Sequence, residues 1–379
     1  MTQTINIGIV GCGYWGPNLV RNFNAVPDCR VTRVCDTAPQ RLAHIRKLYP
    51  SLETSTAFAE LLAGAQVDAV VVATPAPRHY ELARQSLEAG KHVFIEKPMA
   101  TSSRDCADLV KLAAHKKRTL MVGHTFLYSA PVRKIKELVD AGDLGTICYI
   151  SSRRLNLGLF QKDINVVWDL APHDISVICY VMGQKPCAVN CQGHAHVTPN
   201  VEDVTNMTLQ FPSGVFAIVQ NSWLDPRKVR EMTIVGTRRM IVYDDLEPLQ
   251  KIRIYDVRVE IPPHYDTFAQ FQFAYHYGDM YAPRLDQDEA LKTECQHFID
   301  CIRTGNKPLS SGEEGCDLVC VLEAASASLR QAGARVDVHM HGSALDAGRR
   351  TAPAAPSGGR NKQQHRAPPA AAGRRRTQP

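Results

Sequence analysis

A lysine at the end of an apolar run is the residue of this 379-residue chain best placed to do chemistry. Lys97 stands in Glu96-Lys97-Pro98, directly after the strand-like Lys91-His92-Val93-Phe94-Ile95. A charged pair at the end of a buried strand is costly unless it is paired or used. In a parallel α/β sheet, ligands sit outside the carboxyl ends of the strands. An ammonium there can bridge the reactive end of a cofactor and a substrate hydroxyl. A second group, Trp168-Asp169-Leu170-Ala171-Pro172-His173-Asp174, sets Asp169 and His173 four residues apart, on one face of a helix start. The carboxylate can orient the imidazole and stabilise its charged form, as a general base requires. The same spacing also suits an N-cap aspartate followed by a surface histidine.

The partner of these groups is a glycine loop. Gly11-Cys12-Gly13-Tyr14-Trp15-Gly16 fits G-x-G-x-x-G immediately after an apolar run at 5–10. The glycines permit a tight turn and close backbone approach to a pyrophosphate at a helix N-terminus. Pro17 falls in the first turn of that helix, where proline is tolerated. Asp36 lies 20 residues after Gly16, where a carboxylate can accept from an adenosine ribose hydroxyl. It would repel a 2′-phosphate, so the pattern points to NAD rather than NADP. Thr74, Pro75 and His79 follow a third strand run and line the same crevice, or else form a turn with a helix-capping histidine. The candidate cofactor site is therefore Gly11, Gly13, Tyr14, Trp15, Gly16, Asp36, Thr74, Pro75, His79, Glu96 and Lys97. Glu96 is the least explained member, a positioning group for the cofactor or for Lys97.

The elements that must hold these residues change character along the chain. Strand runs at 5–10, 31–35, 69–73, 92–95 and 120–122 alternate with helix-period segments at 40–48, 80–89 and 102–115. Such alternation builds a doubly wound parallel sheet, here a nucleotide-binding domain over 1–123. After Gly123 come a helix near 132–141, a strand at 148–155 and a helix at 169–182. Strand runs follow at 188–195, 204–211, 215–221, 230–235 and 240–243, with Pro212-Ser213-Gly214 as a turn. This pattern gives a second α/β domain over 124–340, with a large, mostly antiparallel sheet and helices on one face. Helices near 288–303 and 315–331 close it, the last packing back on the first domain.

Composition removes several function classes. From 343 onward eight basic residues face one acid, leaving 36 Lys and Arg against 37 Asp and Glu before it. The body is near neutral and offers no electrostatic reason to expect nucleic acid or a membrane as partner. The Ala/Pro/Gly/Arg-rich segment 343–379 reads as a disordered basic tail. The twelve cysteines contain no C-x-x-C pair, and the chain opens without a secretory signal. Neither does any apolar stretch reach the about 18 residues needed to cross a bilayer. A cytoplasmic protein with reduced thiols is expected. Cys187, Cys191, His194 and His196 cluster in a strand-like stretch with no second ligand pair at zinc-finger spacing, so no metal site is expected.

The order of Gly11–Gly16, Glu96-Lys97-Pro98 and Asp169-x-x-x-His173 resembles the glucose–fructose oxidoreductase / inositol dehydrogenase / rhizopine catabolism (Gfo/Idh/MocA) family, over about residues 5–340. The resemblance implies a Rossmann domain followed by an α/β domain whose open sheet supports a homo-oligomer, dimer or tetramer. It also implies a catalytic group of Lys97, Asp169 and His173. Four stretches resemble the nucleotide-sugar 3-dehydrogenases within the family: 11–23, 123–128, 168–174 and Ser222-Trp223-Leu224-Asp225-Pro226-Arg227-Lys228-Val229-Arg230. The implied reaction is NAD-dependent oxidation at C3 of a UDP-N-acetylhexosamine or its uronate. His124 and Asn156 are implied as substrate contacts, and Arg227, Lys228 and Arg230 suit a diphosphate. Many family members carry glycine before the catalytic histidine; Pro172 here would stiffen the first helical turn. The alternatives are a free cyclitol or sugar dehydrogenase of the inositol type, and a non-catalytic dinucleotide sensor.

Overall fold

The computed structural model describes residues 4–64, 66–158, 160–161, 164–260 and 274–340. The segment 343–379, expected to be a basic tail, lies outside the described residues.

Six strands form a wholly parallel sheet: β1 (Ile5–Val10), β2 (Cys29–Cys35), β3 (Glu53–Ser55), β4 (Ala69–Val72), β5 (His92–Glu96) and β6 (Leu120–Gly123), in the order β3-β2-β1-β4-β5-β6. That order reverses direction between β1 and β4, which opens a crevice at their carboxyl ends. The central strand β4 is buried at every residue, as its unbroken Ala-Val-Val-Val requires. Helix α1 (Gly16–Asn24) starts directly from the glycine loop and buries Leu19, Val20 and Phe23. Helix α2 (Pro39–Leu48) and the short α3 (Phe58–Ala63) follow β2 and β3. Helices α4 (His79–Glu88) and α5 (Ser103–Lys116) flank β5. The Ser102 hydroxyl caps α5 by accepting from Asp105 N at 3.1 Å.

After α6 (Ala130–Asp140), strand β7 (Ile147–Leu157) begins a second, nine-stranded sheet. Helix α7 (Val166–Met182) covers it. Its other members are β8 (Ala188–His194), β9 (Val204–Gln210), β10 (Phe216–Ser222), β11 (Leu224–Gly236), β12 (Met240–Asp244), β13 (Ile252–Glu260), β14 (Ala274–Tyr281) and β15 (Val336–Asp337). The order is β14-β13-β12-β11-β7-β10-β9-β8-β15, antiparallel except where β10 runs parallel to β7. On β7, Ile150, Ser152 and Arg154 are buried while Tyr149 and Arg153 are exposed, the alternation of a sheet covered on one face.

The last two helices return to the first sheet. Phe298 of α8 (Ala290–Thr304) packs edge-on against Phe23 and Phe94, with ring centroids 6.2 and 5.7 Å apart. Glu323 of α9 (Gly312–Arg330) accepts from Ser103 N at 2.9 Å and Ser103 Oγ at 2.6 Å. The expected return of the last helix to the nucleotide-binding sheet is thus present. A continuous apolar cluster runs from Ile7 and Phe94 through α8 to Ile150 and Ile234 of the second sheet. The geometry at the junction of the two sheets is therefore held by shared packing.

Candidate active site

The glycine loop has the shape that a dinucleotide needs. Gly11 adopts φ +99°, and a Cβ there would lie 2.4 Å from the Ala73 carbonyl oxygen. A Cβ on Gly16 would fall 2.4 Å from Gly11 O, so only glycine lets α1 start so close to the loop. At Gly13 a Cβ would meet nothing within 4 Å, which leaves bare backbone facing open space. That space is a cavity of about 770 Å³ lined by Gly11, Gly13, Tyr14, Trp15, Asp36, Thr74 and Pro75 among others. Asp36 is buried at the end of β2. Its Oδ2 accepts from Cys12 N at 2.6 Å and its Oδ1 from Ala38 N at 2.8 Å. The carboxylate thereby locks the loop and keeps further lone pairs for ribose hydroxyls. These residues fit NAD.

His79 lies elsewhere than in the open crevice. It is buried at the first turn of α4, with Nδ1 2.8 Å from Pro98 O and Nε2 2.7 Å from Thr74 O. The ring ties the loop after β4 to the Glu96-Lys97-Pro98 turn. Burial lowers its pKa below the ordinary histidine range, and a neutral ring donates to one of the two carbonyls.

Glu96 shares a face of β5 with Phe94, which packs on Phe298 of α8. Its Oε2 would lie 3.1 Å from a Cβ at Gly123. Burial pushes its carboxyl up to about 7 against the opposing pull of Lys97. Buried Glu294 of α8 feels the Glu96 charge and is also held well above the usual carboxylate range, chiefly by burial. Its Oε2 accepts from Thr125 Oγ1 at 2.7 Å. Glu96 and Glu294 are thus two buried carboxyl groups within electrostatic reach of each other, and Glu96 is also within reach of Lys97.

Lys97 itself reaches across to the second sheet's helix. Its Nζ donates to the Asp169 carbonyl oxygen at 2.7 Å and lies 3.4 Å from Asp169 Oδ1. Asp169 Oδ2 accepts from the indole of Trp223 at 3.2 Å. The expected Asp169–His173 hydrogen bond is absent among the described residues, because Lys97 and Trp223 occupy the carboxylate. Asp169 is not the helix cap either: α7 begins at Val166, and Asn165 Oδ1 accepts from Trp168 N at 3.3 Å. The earlier start also puts Pro172 inside the helix rather than in its first turn.

His173 stands one turn on, with Nδ1 buried and without a partner among the described residues. Its ring meets Phe126 edge-on, with centroids 5.0 Å apart. On the other side of Phe126, the Arg154 guanidinium lies 4.7 Å from the ring centroid. Arg154 donates to both oxygens of Asp174, at 2.9 and 3.1 Å, in a buried fork. Burial, followed by the charges of Lys97, Arg154, His124 and Arg230, holds His173 well below the ordinary histidine pKa. It is a neutral imidazole at pH 7, in the form that accepts a proton.

The remaining expected contacts divide. Asn156 is half-buried, two residues beyond Arg154 on the same face of β7. Arg230 is within electrostatic reach of His173 and pairs with Asp245 at 3.4 Å. Arg227 and Lys228 are exposed, in a bulge where β11 leaves the β7 register between Leu224 and Val229. His124 is 2% exposed and lines a separate cavity between α7 and α9. The Cys187–His196 cluster spans β8 and its two ends, and His196 pairs with Asp203 at 2.7 Å. Among the described residues no group of three or more His, Cys, Asp or Glu could hold a metal.

Trp223, Phe126, Arg154, Asp174 and Glu294 belong to this site and were not singled out as site residues from the sequence. Asp174 carried a signal: an acid next to His173 on the buried face of an apolar helix demands a buried cation.

Comparison with known proteins identifies the family and the fold. Residues 5–124 match the oxidoreductase family, NAD-binding Rossmann fold, model of Gfo/Idh/MocA. Residues 132–242 match a GFO/IDH/MocA C-terminal domain. The 2,7-anhydro-N-acetylneuraminate hydratase of Escherichia coli (strain K12) is 30% identical over 266 residues, 66% of this chain and 70% of that one. The inositol 2-dehydrogenase of Rhizobium meliloti (strain 1021) is 24% identical over 347 residues, 87% of this chain and 98% of its own. In structure, the UDP-N-acetylglucosamine 3-dehydrogenase of Acidithiobacillus ferrooxidans superposes with a TM-score of 0.72 at 23% identity, covering 88% of this chain and 99% of that one. A glycine loop built for NAD, with a lysine bonded to the helix that carries a buried histidine, is carried by a chain that belongs to the Gfo/Idh/MocA family of NAD-dependent oxidoreductases.

Proposed function

We propose that this enzyme oxidises a secondary hydroxyl of a nucleotide-linked sugar, the C3 hydroxyl of a UDP-N-acetylhexosamine or its uronate. The observation that carries the reading is that Lys97 is fixed on the Asp169 carbonyl, one turn of α7 before His173, which burial and surrounding cations keep neutral. Bound NAD supplies the oxidant. Lys97 donates a hydrogen bond to the substrate oxygen as negative charge develops on it. His173 accepts the hydroxyl proton. Asp169 and Trp223 hold the Lys97 ammonium in place rather than orienting the histidine. Arg227, Lys228 and Arg230 supply the cationic surface that a diphosphate needs. The likeness to a UDP-N-acetylglucosamine 3-dehydrogenase supports the same substrate class.

NADH absorbance is measured with UDP-N-acetylglucosamine, its uronate and inositol. Growth of signal with a UDP-sugar supports the reading; signal with inositol alone replaces it by the cyclitol reading, which the inositol 2-dehydrogenase relative favours. Lys97→Ala and His173→Ala are each expected to lower turnover by about 10²–10⁴ while NAD still binds. Near-normal turnover in both would sink the assignment.

The bare face of the nine-stranded sheet supports one further expectation, a homo-oligomer assembled through that face.

A further inference from the structure

Along the face of α7 that carries His173, toward the helix C-terminus, lies a cavity of about 310 Å³. Ser176, Cys179 and Tyr180 of α7, Leu318 and Val321 of α9, and His124 are among the residues that close it. Most of the wall is apolar, yet three lining side chains present buried polar atoms with no partner among the described residues. These are both ring nitrogens of His124, Oε1 of Gln184 and Oδ1 of Asp317. An apolar cavity of this kind stays dry, whereas one with several orphaned polar atoms and room for water takes water. Unpaired buried polar groups are otherwise costly. At the outer end, Lys185 bonds Asp317 and lies 3.3 Å from Glu314, and the side chains of Lys185 and Glu314 are 38% and 42% exposed.

Two of its lining residues, Ser176 and His124, connect this cavity to the catalytic group. His124 lies within electrostatic reach of both Lys97 and His173. Ser176, on the same wall, donates to the His173 carbonyl at 2.9 Å. The reaction makes a problem that this arrangement answers. A proton taken by His173 joins Lys97, Arg154 and Arg230 in a buried, cation-rich pocket, where an imidazolium is disfavoured. With sugar and cofactor seated, the crevice side of the ring is covered.

We propose that the cavity is a proton exit, in which water relays the proton released by the substrate hydroxyl from His173, through His124, to Asp317 and the solvent at Glu314. The proposal rests on the reading of His173 as the base. The substrate O–H bond breaks, and its proton passes to the His173 imidazole. His124 accepts a proton at one ring nitrogen and releases one from the other, so it ends the cycle neutral. The electron pair leaves separately with the substrate's C–H hydrogen to NAD, and no further oxidant enters.

His124→Ala tests the route, assayed with UDP-N-acetylglucosamine and with inositol. The expected result is a fall in kcat of about 10²-fold with KM and NAD affinity little changed. The solvent deuterium isotope effect on kcat should rise, and added imidazole should restore turnover. A purely structural histidine would lower the melting temperature and respond neither to imidazole nor to solvent deuterium. Cys179→Phe, which fills the cavity without touching the crevice, should reproduce the isotope effect; if it fails to fold, Gln184→Leu takes its place. A second readout needs no turnover: nitrogen-15 NMR of labelled histidine in the NAD complex. Exchange of the His124 ring proton with solvent should be fast in the native enzyme and slowed in the filled variant. If neither alcohol is oxidised but this exchange responds, the substrate reading fails and the hydrated route stands. Unchanged kcat in His124→Ala, without imidazole rescue and with exchange indifferent to filling, overturns the proposal.

Discussion

Two buried carboxyl groups, Glu96 beside Lys97 and Glu294 on α8, make this site sensitive to pH. Glu96 is pushed from 4.5 up to about 7 by burial, and Glu294 above it is raised for the same reason. Because the folded pKa lies above the unfolded one, the stability tied to Glu96 is complete below about 4.5 and is lost as pH rises through about 7. Glu96→Gln keeps the shape and a hydrogen-bond donor but removes the titration. Its advantage over the native enzyme should be small near pH 4 and approach about 3 kcal/mol above pH 8. Thermal denaturation across that range reads it directly, and a difference that does not change with pH would refute the buried pair. Residues of this kind explain what the sequence could and could not tell. Gly11–Gly16 and Asp36 were legible because their function follows from local backbone shape and a fixed spacing. Glu96 was visible as an anomaly, but its partner Glu294 comes from a helix 198 residues later, and no spacing rule joins them.

At the level of elements, α7 is seated on β7 by one buried ion pair. Arg154 and Asp174 satisfy each other with two hydrogen bonds, so breaking only one side leaves an uncompensated charge. Arg154→Met should therefore cost about 3–5 kcal/mol, whereas Arg154→Met with Asp174→Leu should recover most of it. The double variant also removes one of the cations that depress His173. The acid limb of its kcat/KM profile should move to higher pH, and a limb that stays put would show that Arg154 does not tune the base. The strands and helices themselves were largely readable, since β4 and β5 are unbroken buried apolar runs and α1 and α5 bury one face. Strands β13 and β14 were not. Nearly every residue of β14 is exposed, so it lacks the alternation that marks a half-buried strand. The start of α7 was placed three residues late because Asn165, not Asp169, is its cap.

Over the whole molecule, helices cover one face of the nine-stranded sheet and the other face lies open. Register sets one apolar row across it. Phe216 pairs with Tyr149, Tyr149 with Val235, Val235 with Met240, Met240 with Tyr255, and Tyr255 with Met280. The row thus crosses six strands without a charge. Phe216 and Tyr149 stack at 6.0 Å between centroids, and both remain exposed. Beside the row, Val257 faces Tyr277 and Val259 faces Tyr275, all exposed. Contiguous apolar surface of this kind marks an interaction site, and a flat sheet face suits the self-complementary contact of a two-fold assembly. Sedimentation of the native enzyme should give a multiple of the chain mass. Tyr149→Asp with Val235→Arg should dissociate it while leaving the monomer folded, because both side chains point away from the core shared with α7. The dissociated form should still bind NAD, since the glycine loop lies on the other sheet. Sedimentation of the native protein as a monomer, or a double variant that stays assembled, would remove this face from the interface.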